Sequence, residues 1–187
     1  MNLPNKLTII RILMIPIFVA LYYIPAVPFS VAAGVFALAA FTDFLDGYIA
    51  RKYKLVTDLG KFLDPIADKV LVASALIIML VPVGGVYLLP DLAGIAVAII
   101  LARELVVSGF RMVAASKGMV IAADKSGKIK TFVTDIAIVV LLVGADITGL
   151  YGWANLIGLA LIGVATLLTI ISGVECIVKN KAVLQDK

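Results

Sequence analysis

The sequence predicts an all-α integral membrane protein with six transmembrane helices and both termini in the cytoplasm. Three observations predict this fold: the apolar composition, six long apolar runs, and the placement of the Lys and Arg residues. Hydrophobic residues make up 63% of the 187 residues and charged residues only 15%, whereas soluble domains contain roughly 45–50% and 25%. A soluble domain of this length cannot bury so much apolar surface. The composition therefore excludes a soluble enzyme, a secreted disulfide scaffold and a disordered chain.

Six apolar runs come close to the ~20 residues that are needed to cross a bilayer. Breaks that contain Pro or Gly separate them, and the runs are longer than the alternating strands of a membrane β-barrel. They lie at residues 7–24, 30–50, 62–81, 92–115, 129–143 and 153–178. We expect a single membrane-embedded domain over residues 1–187. We also expect the first helix to be retained rather than cleaved as a signal peptide, because Arg11 interrupts its run.

The Lys and Arg residues occupy alternate connections between these runs. All 16 of them lie near the amino terminus, around the second and fourth connections, or in the carboxyl-terminal tail. The positive-inside rule places those segments in the cytoplasm, which predicts a multi-pass protein of the cell membrane. We attribute the net charge of +4 to this topology and to contacts with anionic membrane lipids. Nucleic acid is not an expected partner, since no soluble module presents a basic patch.

Four Asp residues lie where the second and third runs approach each other. Ionisable groups inside a bilayer cost several kcal/mol each and usually mark function. Asp43 and Asp46 share one helix face, and Asp64 and Asp68 share another, because residues three or four apart are neighbours on a helix. Four carboxylates that meet would repel one another unless they are protonated or hold cations. Since the chain has no His, these oxygen ligands suit two Mg²⁺ or Mn²⁺ ions rather than zinc.

A structural interpretation of the same four residues remains open. The carboxylates would then cap helices or pair with the cations of Arg51 and Lys69. Asp64 is the best candidate for a cap, because Pro65 follows it and Pro favours the first position of a helix. Capping does not suit Asp43, which comes late in its run.

The spacing of these residues forms a motif that resembles the signature of the CDP-alcohol phosphatidyltransferases. The motif reads Asp43-x2-Asp46-Gly47-x2-Ala50-Arg51-x8-Gly60-x3-Asp64-x3-Asp68. The resemblance implies a homodimer of six-helix chains with two metal ions in a site that faces the cytoplasm. One ion would be held by Asp43, Asp46 and Asp64, and the other by Asp43, Asp64 and Asp68. Asp68 would also be the base that takes the proton from the acceptor hydroxyl.

Shorter motifs extend the resemblance to one bacterial branch of that family, the phosphatidylglycerophosphate synthases. They lie at residues 2–8 together with Arg11, and at residues 61–65, 102–104, 109–111 and 127–131. The branch implies transfer of the phosphatidyl group of CDP-diacylglycerol to the terminal hydroxyl of sn-glycerol 3-phosphate, which gives phosphatidylglycerophosphate and CMP. The residues expected to line the site for the CDP-lipid are Asn5, Thr8, Gly47, Arg51, Thr57 and Gly60.

A group of cations supports a phosphorylated acceptor. Arg103 lies about halfway along the fourth run, where an Arg requires an anionic partner or a water-filled cavity. Arg111, Lys128 and Lys130 approach from the adjacent connection, and such donors suit a phosphate. The competing interpretations are the positive-inside topology for the two Lys residues and a salt bridge to Glu104 or Asp135 for Arg103. We expect Glu104 to be a poor partner, because adjacent residues of a helix face different directions.

Two alternative functions remain open from the sequence. The first keeps the same chemistry but uses another acceptor, such as inositol phosphate. The second is a cation- or proton-coupled transporter that uses the Asp residues as its translocation site. Transporters of that type often contain inverted repeats, and the sequence shows no internal repeat. For Asp135 we expect a helix–helix hydrogen bond rather than a metal, and for Glu175 an ion pair with Lys179.

Overall fold

The computed structural model describes residues 3–53, 58–119, 121, 125–147 and 151–184. Within these ranges the chain forms six α-helices and one short 3₁₀-helix, and no β-strand. The elements are α1 (Leu3–Tyr23), α2 (Phe29–Lys52), α3 (Asp58–Ile78), α4 (Ala93–Ser116), α5 (Lys125–Asp146), α6 (Tyr151–Lys179) and the 3₁₀-helix η1 (Lys181–Leu184). Each α-helix coincides with one predicted apolar run, so the predicted all-α membrane fold is confirmed. The cytoplasmic location of the termini stays a prediction.

Three helices of the described chain are long and apolar enough to cross a membrane by length and composition alone. They are α1 from Asn5 onward, α4 and α6. The other three, α2, α3 and α5, carry the four Asp residues of the predicted metal site and both Lys residues of the predicted phosphate site. Large apolar side chains such as Leu38, Leu105 and Leu167 are 60%, 71% and 63% exposed on the outside of the bundle. A surface of this kind suits acyl chains rather than water.

The helices pack around a continuous apolar core. α1 packs against α2 and α3, α2 packs against α5, and α6 packs against α5 and α4. Small residues bring α5 and α6 together, because a Cβ at Gly144 would overlap that of Ala154 and a Cβ at Gly158 would overlap Leu141. Close approach at small residues is the usual way in which membrane helices gain packing energy. The fully buried side chains of this core include Phe18, Phe36, Leu76 and Ile138.

Polar contacts tie the helices together at the end of the bundle that carries few charges. The Asp146 carboxylate at the end of α5 accepts hydrogen bonds from the backbone N–H groups of Phe29 (3.0 Å) and Ser30 (2.5 Å) at the start of α2. Pro28 at the N-cap position makes no side-chain cap of its own. Asp146 therefore supplies the cap that α2 lacks, since the first N–H groups of a helix have no partner within it.

The structure contradicts the alternative interpretation in which Asp64 caps the third helix. α3 begins at Asp58, so that Asp64 and Pro65 both lie inside the helix. The apolar run begins four residues later than the helix, because Asp58, Gly60 and Lys61 interrupt the apolar pattern in the first turn of α3. Asp64 is therefore available to a site on the side of α3, which the capping interpretation would have excluded.

Candidate active site

A cavity of about 1000 Å³ lies between α2, α3, α4 and α5 and brings together residues from both predicted groups. α2 and α3 supply the carboxylate wall, which consists of Asp43, Asp64 and Asp68, together with Gly47. α4 and α5 supply the cation wall, which consists of Arg103, Arg111, Lys128 and Lys130. The sequence predicted these two groups separately, and the structure places them on one cavity.

Two donors from α1 hold the carboxylate wall. The Nη1 of Arg11 donates a hydrogen bond to Oδ1 of Asp43 at 2.8 Å, and its Nε donates to the carbonyl oxygen of Ala39 at 3.2 Å. The Oγ1 of Thr8 donates to Oδ1 of Asp64 at 2.6 Å. Arg11 and Thr8 are both fully buried. These bonds fix the directions of the Asp43 and Asp64 carboxylates from the side of α1.

The pairing of Arg11 with Asp43 was not predicted from the sequence. The signal was present, because an Arg inside an apolar run requires an anionic partner. The partner was missed because α1 and α2 are antiparallel neighbours, and only their packing brings position 11 opposite position 43. The alternative partner Lys69 instead donates from its Nζ to the carbonyl oxygen of Pro65 at 3.1 Å, within its own helix.

The predicted CDP-lipid residues are only partly described. Asn5, Thr8 and Gly60 are buried and are not among the described residues that line the cavity, although Thr8 reaches it through Asp64. The side chains of Asp46 and Arg51, and the whole of Thr57, lie outside the described residues. Of the six, Gly47 alone is found in the cavity lining within the described part of the chain.

The carboxylate wall offers the ligand chemistry of a hard divalent cation. Asp oxygens are the donors that Mg²⁺ and Mn²⁺ prefer, and a site of this kind needs neither His nor Cys. Among the side chains that the structure describes, no three acidic residues lie close enough to form a completed metal site. Asp46 follows Asp43 on α2 by one helical turn. The donor set therefore fits such an ion in kind, with Asp43, Asp64 and Asp68 as the described members.

A network of charges holds the cation wall. The Oε1 of Glu104 accepts hydrogen bonds from the Nη1 of Arg103 at 2.9 Å and from the Nζ of Lys130. The Nη2 of Arg103 donates to the Oγ of Ser172 on α6 at 2.9 Å. Lys130 is almost fully buried, with 4% of its surface exposed. The bridging carboxylate thus allows two cations to lie side by side in the interior of the bundle.

The prediction that Glu104 is a poor partner of Arg103 was wrong. Adjacent residues do leave a helix in different directions, but that rule concerns the Cβ atoms. The long Arg and Glu side chains bend toward the same cavity, and Lys130 on α5 draws the carboxylate to that side. Ser172 was also missed, because nothing in an apolar run indicates which hydroxyl faces a buried Arg.

Two guanidinium donors and one carboxylate oxygen of the cavity lining lack partners within the described structure. They are the Nε atoms of Arg103 and Arg111 and the Oδ1 atom of Asp135, all of them buried. The helix–helix hydrogen bond expected of Asp135 is thus not made by this oxygen. A buried donor without a partner is costly, and both Arg residues also line the cavity. The expected Glu175–Lys179 ion pair is confirmed, at 3.7 Å.

The chain is similar to known proteins over most of its length. Residues 1–171 match the family model described as CDP-alcohol phosphatidyltransferase. The CDP-diacylglycerol–glycerol-3-phosphate 3-phosphatidyltransferase of Rickettsia typhi is 42% identical over 173 residues, which are 92% of this chain and 93% of the relative. The protein of the same name from Bacillus subtilis is 44% identical over 155 residues, 75% of this chain and 76% of its own. A probable phosphatidylglycerophosphate synthase of Mycobacterium tuberculosis is 39% identical over 182 residues, which are 95% of this chain and 81% of the relative. The chain belongs to the CDP-alcohol phosphatidyltransferase family.

Proposed function

We propose that this chain transfers the phosphatidyl group of CDP-diacylglycerol to the terminal hydroxyl of sn-glycerol 3-phosphate. The products are phosphatidylglycerophosphate and CMP. The names of the relatives from Rickettsia and Bacillus support this reaction. The structural observation that carries it is that the carboxylate wall and the cation wall line the same cavity. Such a cavity suits two anionic substrates. The CDP-lipid would bind to metal ions at the carboxylate wall, and the phosphate of the acceptor would bind directly to the cation wall.

The carboxylate wall is the proposed site of metal binding. The family generally depends on a divalent metal, and we infer two Mg²⁺ or Mn²⁺ ions per site, held by Asp43, Asp46, Asp64 and Asp68. The ions would neutralise the diphosphate and stabilise the departing CMP. Arg11 and Thr8 hold two of these carboxylates in fixed directions, so that little reorganisation is needed when the substrate arrives.

Asp68 is the proposed catalytic base. Its carboxylate takes the proton of the terminal acceptor hydroxyl while that oxygen attacks the β-phosphorus of the CDP-lipid. A new P–O bond to the acceptor forms as the P–O bond to CMP breaks, and the electron pair leaves with CMP. We assign binding of the CDP-lipid to Asn5, Thr8, Gly47, Arg51, Thr57 and Gly60.

The cation wall is the proposed site for the phosphate of the acceptor. Arg103, Arg111, Lys128 and Lys130 supply charge-assisted donors, which are stronger than neutral ones. The position of all four residues on one cavity favours this assignment, because a phosphate has several oxygen acceptors. A phosphate held there leaves the free end of glycerol 3-phosphate directed toward the carboxylate wall, where the terminal hydroxyl meets Asp68.

The remaining proposals concern the surroundings of the site. We infer a homodimer in the cell membrane, with the cavity open to the cytoplasm, where CMP and glycerol 3-phosphate are soluble. The two acyl chains of CDP-diacylglycerol remain in the bilayer and enter between helices. The exposed apolar surface of the bundle is suited to this lateral entry.

Turnover by the purified protein in lipid nanodiscs tests the proposed function. The assay combines CDP-diacylglycerol, Mg²⁺ and radiolabelled glycerol 3-phosphate, with inositol phosphate as a competing acceptor. We expect a radiolabelled lipid that disappears with EDTA and in Asp68→Asn but persists in the control Asp91→Asn, whose side chain is exposed outside the cavity. If the phosphatidyl group is transferred preferentially to inositol phosphate, then inositol phosphate is the acceptor instead. A cation flux without any lipid product would support the transporter instead.

A further inference from the structure

α6 contacts Arg103 of the cation wall through the hydroxyl group of Ser172. The Nη2 of Arg103 donates to the Oγ of Ser172 at 2.9 Å, although the two residues are 69 positions apart. Ser172 is 1% exposed, and its own hydroxyl donates to the carbonyl oxygen of Thr169 at 3.2 Å. Because its proton is committed to that carbonyl, the hydroxyl oxygen is turned toward the guanidinium as an acceptor.

The next residue of α6 makes room for the same side chain. A Cβ at Gly173 would lie 3.0 Å from the Cγ of Arg103 and 3.5 Å from its Nε. The stem of Arg103 therefore rests on bare helix backbone, and a Cβ at position 173 would push it away by a few tenths of an ångström.

Arg103 is thus held at both terminal nitrogens. Glu104 accepts from Nη1, and Ser172 accepts from Nη2. These two bonds fix the plane of the guanidinium at the wall of the cavity and leave Nε without a partner among the described residues. An Arg that is ordered before its ligand arrives loses less conformational entropy on binding.

We propose that Ser172 and Gly173 are positioning residues that hold the Arg103 guanidinium ready for the anionic group of the acceptor. This inference rests on the proposed function, in which Arg103 binds that group. Neither residue is among the described residues that line the cavity, and both follow the segment that matches the family model, which ends at residue 171. α6 then contributes to acceptor affinity and not only to the packing of the bundle.

Steady-state kinetics of the full-length protein in nanodiscs test the proposal with a double-mutant cycle. We expect Ser172→Ala to raise the KM for glycerol 3-phosphate about three- to tenfold, because one hydrogen bond to a charged group is lost. The kcat and the KM for CDP-diacylglycerol stay within about twofold. In the Arg103→Ala background, Ser172→Ala changes nothing further, since the two residues act through one side chain. Gly173→Ala provides a second variant with the same expected signature.

The matched control is Thr166→Val on the same helix. Thr166 is buried and donates its hydroxyl to the carbonyl oxygen of Ile162, so the variant removes a buried hydroxyl without touching Arg103. The inference is overturned if Ser172→Ala raises the KM for glycerol 3-phosphate by the same factor with and without Arg103. It is also overturned if Ser172→Ala raises the KM values for both substrates equally. If Arg103→Ala itself leaves the acceptor KM unchanged, the proposed role of Arg103 fails as well. If Arg103→Ala raises that KM while Ser172→Ala and Gly173→Ala do not, only the positioning inference fails.

Discussion

The Arg11–Asp43 ion pair joins α1 to the carboxylate wall. Arg11 is fully buried, whereas 42% of the Asp43 side chain is exposed to the cavity. Removing one partner of a fully buried pair costs roughly 3–5 kcal/mol, and the exposure of Asp43 reduces that figure. We expect Arg11→Met to lower the free energy of unfolding by about 2 kcal/mol, measured by thermal unfolding in detergent without divalent metal.

The control for Arg11→Met is Lys6→Met, which removes an exposed positive charge from the same helix. An unchanged unfolding midpoint in Arg11→Met would show that Asp43 does not depend on this pair. We also expect added Mg²⁺ to recover part of the lost stability, because a cation at Asp43 replaces the missing charge.

Glu104 allows Arg103 and Lys130 to lie together inside the bundle. Glu104→Ala leaves both cations without their shared carboxylate, and we expect a loss of about 2 kcal/mol in the free energy of unfolding. Glycerol 3-phosphate should restore part of it, because the phosphate replaces the lost anion. The control is Glu175→Ala, whose pair with Lys179 is exposed and is worth at most about 1 kcal/mol. A variant that the acceptor does not stabilise at all would contradict this account of the cation wall.

At the scale of residues, the sequence predicts which side chains form the site but not how they pair. Carboxylates and cations inside apolar runs are costly, so their presence alone indicates a site. Pairing depends on which helices become neighbours and on how far a long side chain reaches. Arg11 with Asp43, and Arg103 with both Glu104 and Ser172, are determined by packing that the linear order does not contain.

At the scale of elements, the contact between α5 and α2 is a helix cap supplied by a distant residue. We expect Asp146→Ala to lower the free energy of unfolding by about 1 kcal/mol, the usual value of an N-cap side chain. Hydrogen exchange should accelerate at the N–H groups of Phe29 and Ser30. Asp146→Asn serves as the comparison and should lose less stability, since its one amide oxygen can still accept one of the two hydrogen bonds. Unaltered exchange at the start of α2 in Asp146→Ala would contradict the assignment of the cap.

All six α-helices were predictable from the apolar runs, and their boundaries were predictable to within a few residues. The largest consequence of a boundary error concerns Asp64. An apolar run marks the segment that suits hydrocarbon, whereas the helix continues into polar turns at its end. The run starting at residue 62 thus made Asp64 look like a cap, although α3 begins at Asp58.

At the scale of the whole molecule, the bundle has one end that is rich in charge and one that is poor in it. The cation-rich end is expected in the cytoplasm. Leu92→Cys and Ser116→Cys place exposed thiols beside the two ends of α4, and the native Cys176 is buried. A membrane-impermeant thiol reagent should label Leu92→Cys in intact cells and Ser116→Cys only after permeabilisation. The reverse labelling pattern would show that the bundle has the opposite orientation in the membrane.

The central claim is that the carboxylate wall binds divalent cations that in turn bind the CDP-lipid. Electron paramagnetic resonance of Mn²⁺ added to the purified protein measures this binding directly, without any turnover. We predict saturable binding of Mn²⁺ that tightens when CDP-diacylglycerol is present and weakens at least about tenfold in Asp64→Asn and Asp68→Asn, but not in Asp91→Asn. Mn²⁺ binding that is the same in all these variants, or indifferent to the nucleotide lipid, would contradict the claim.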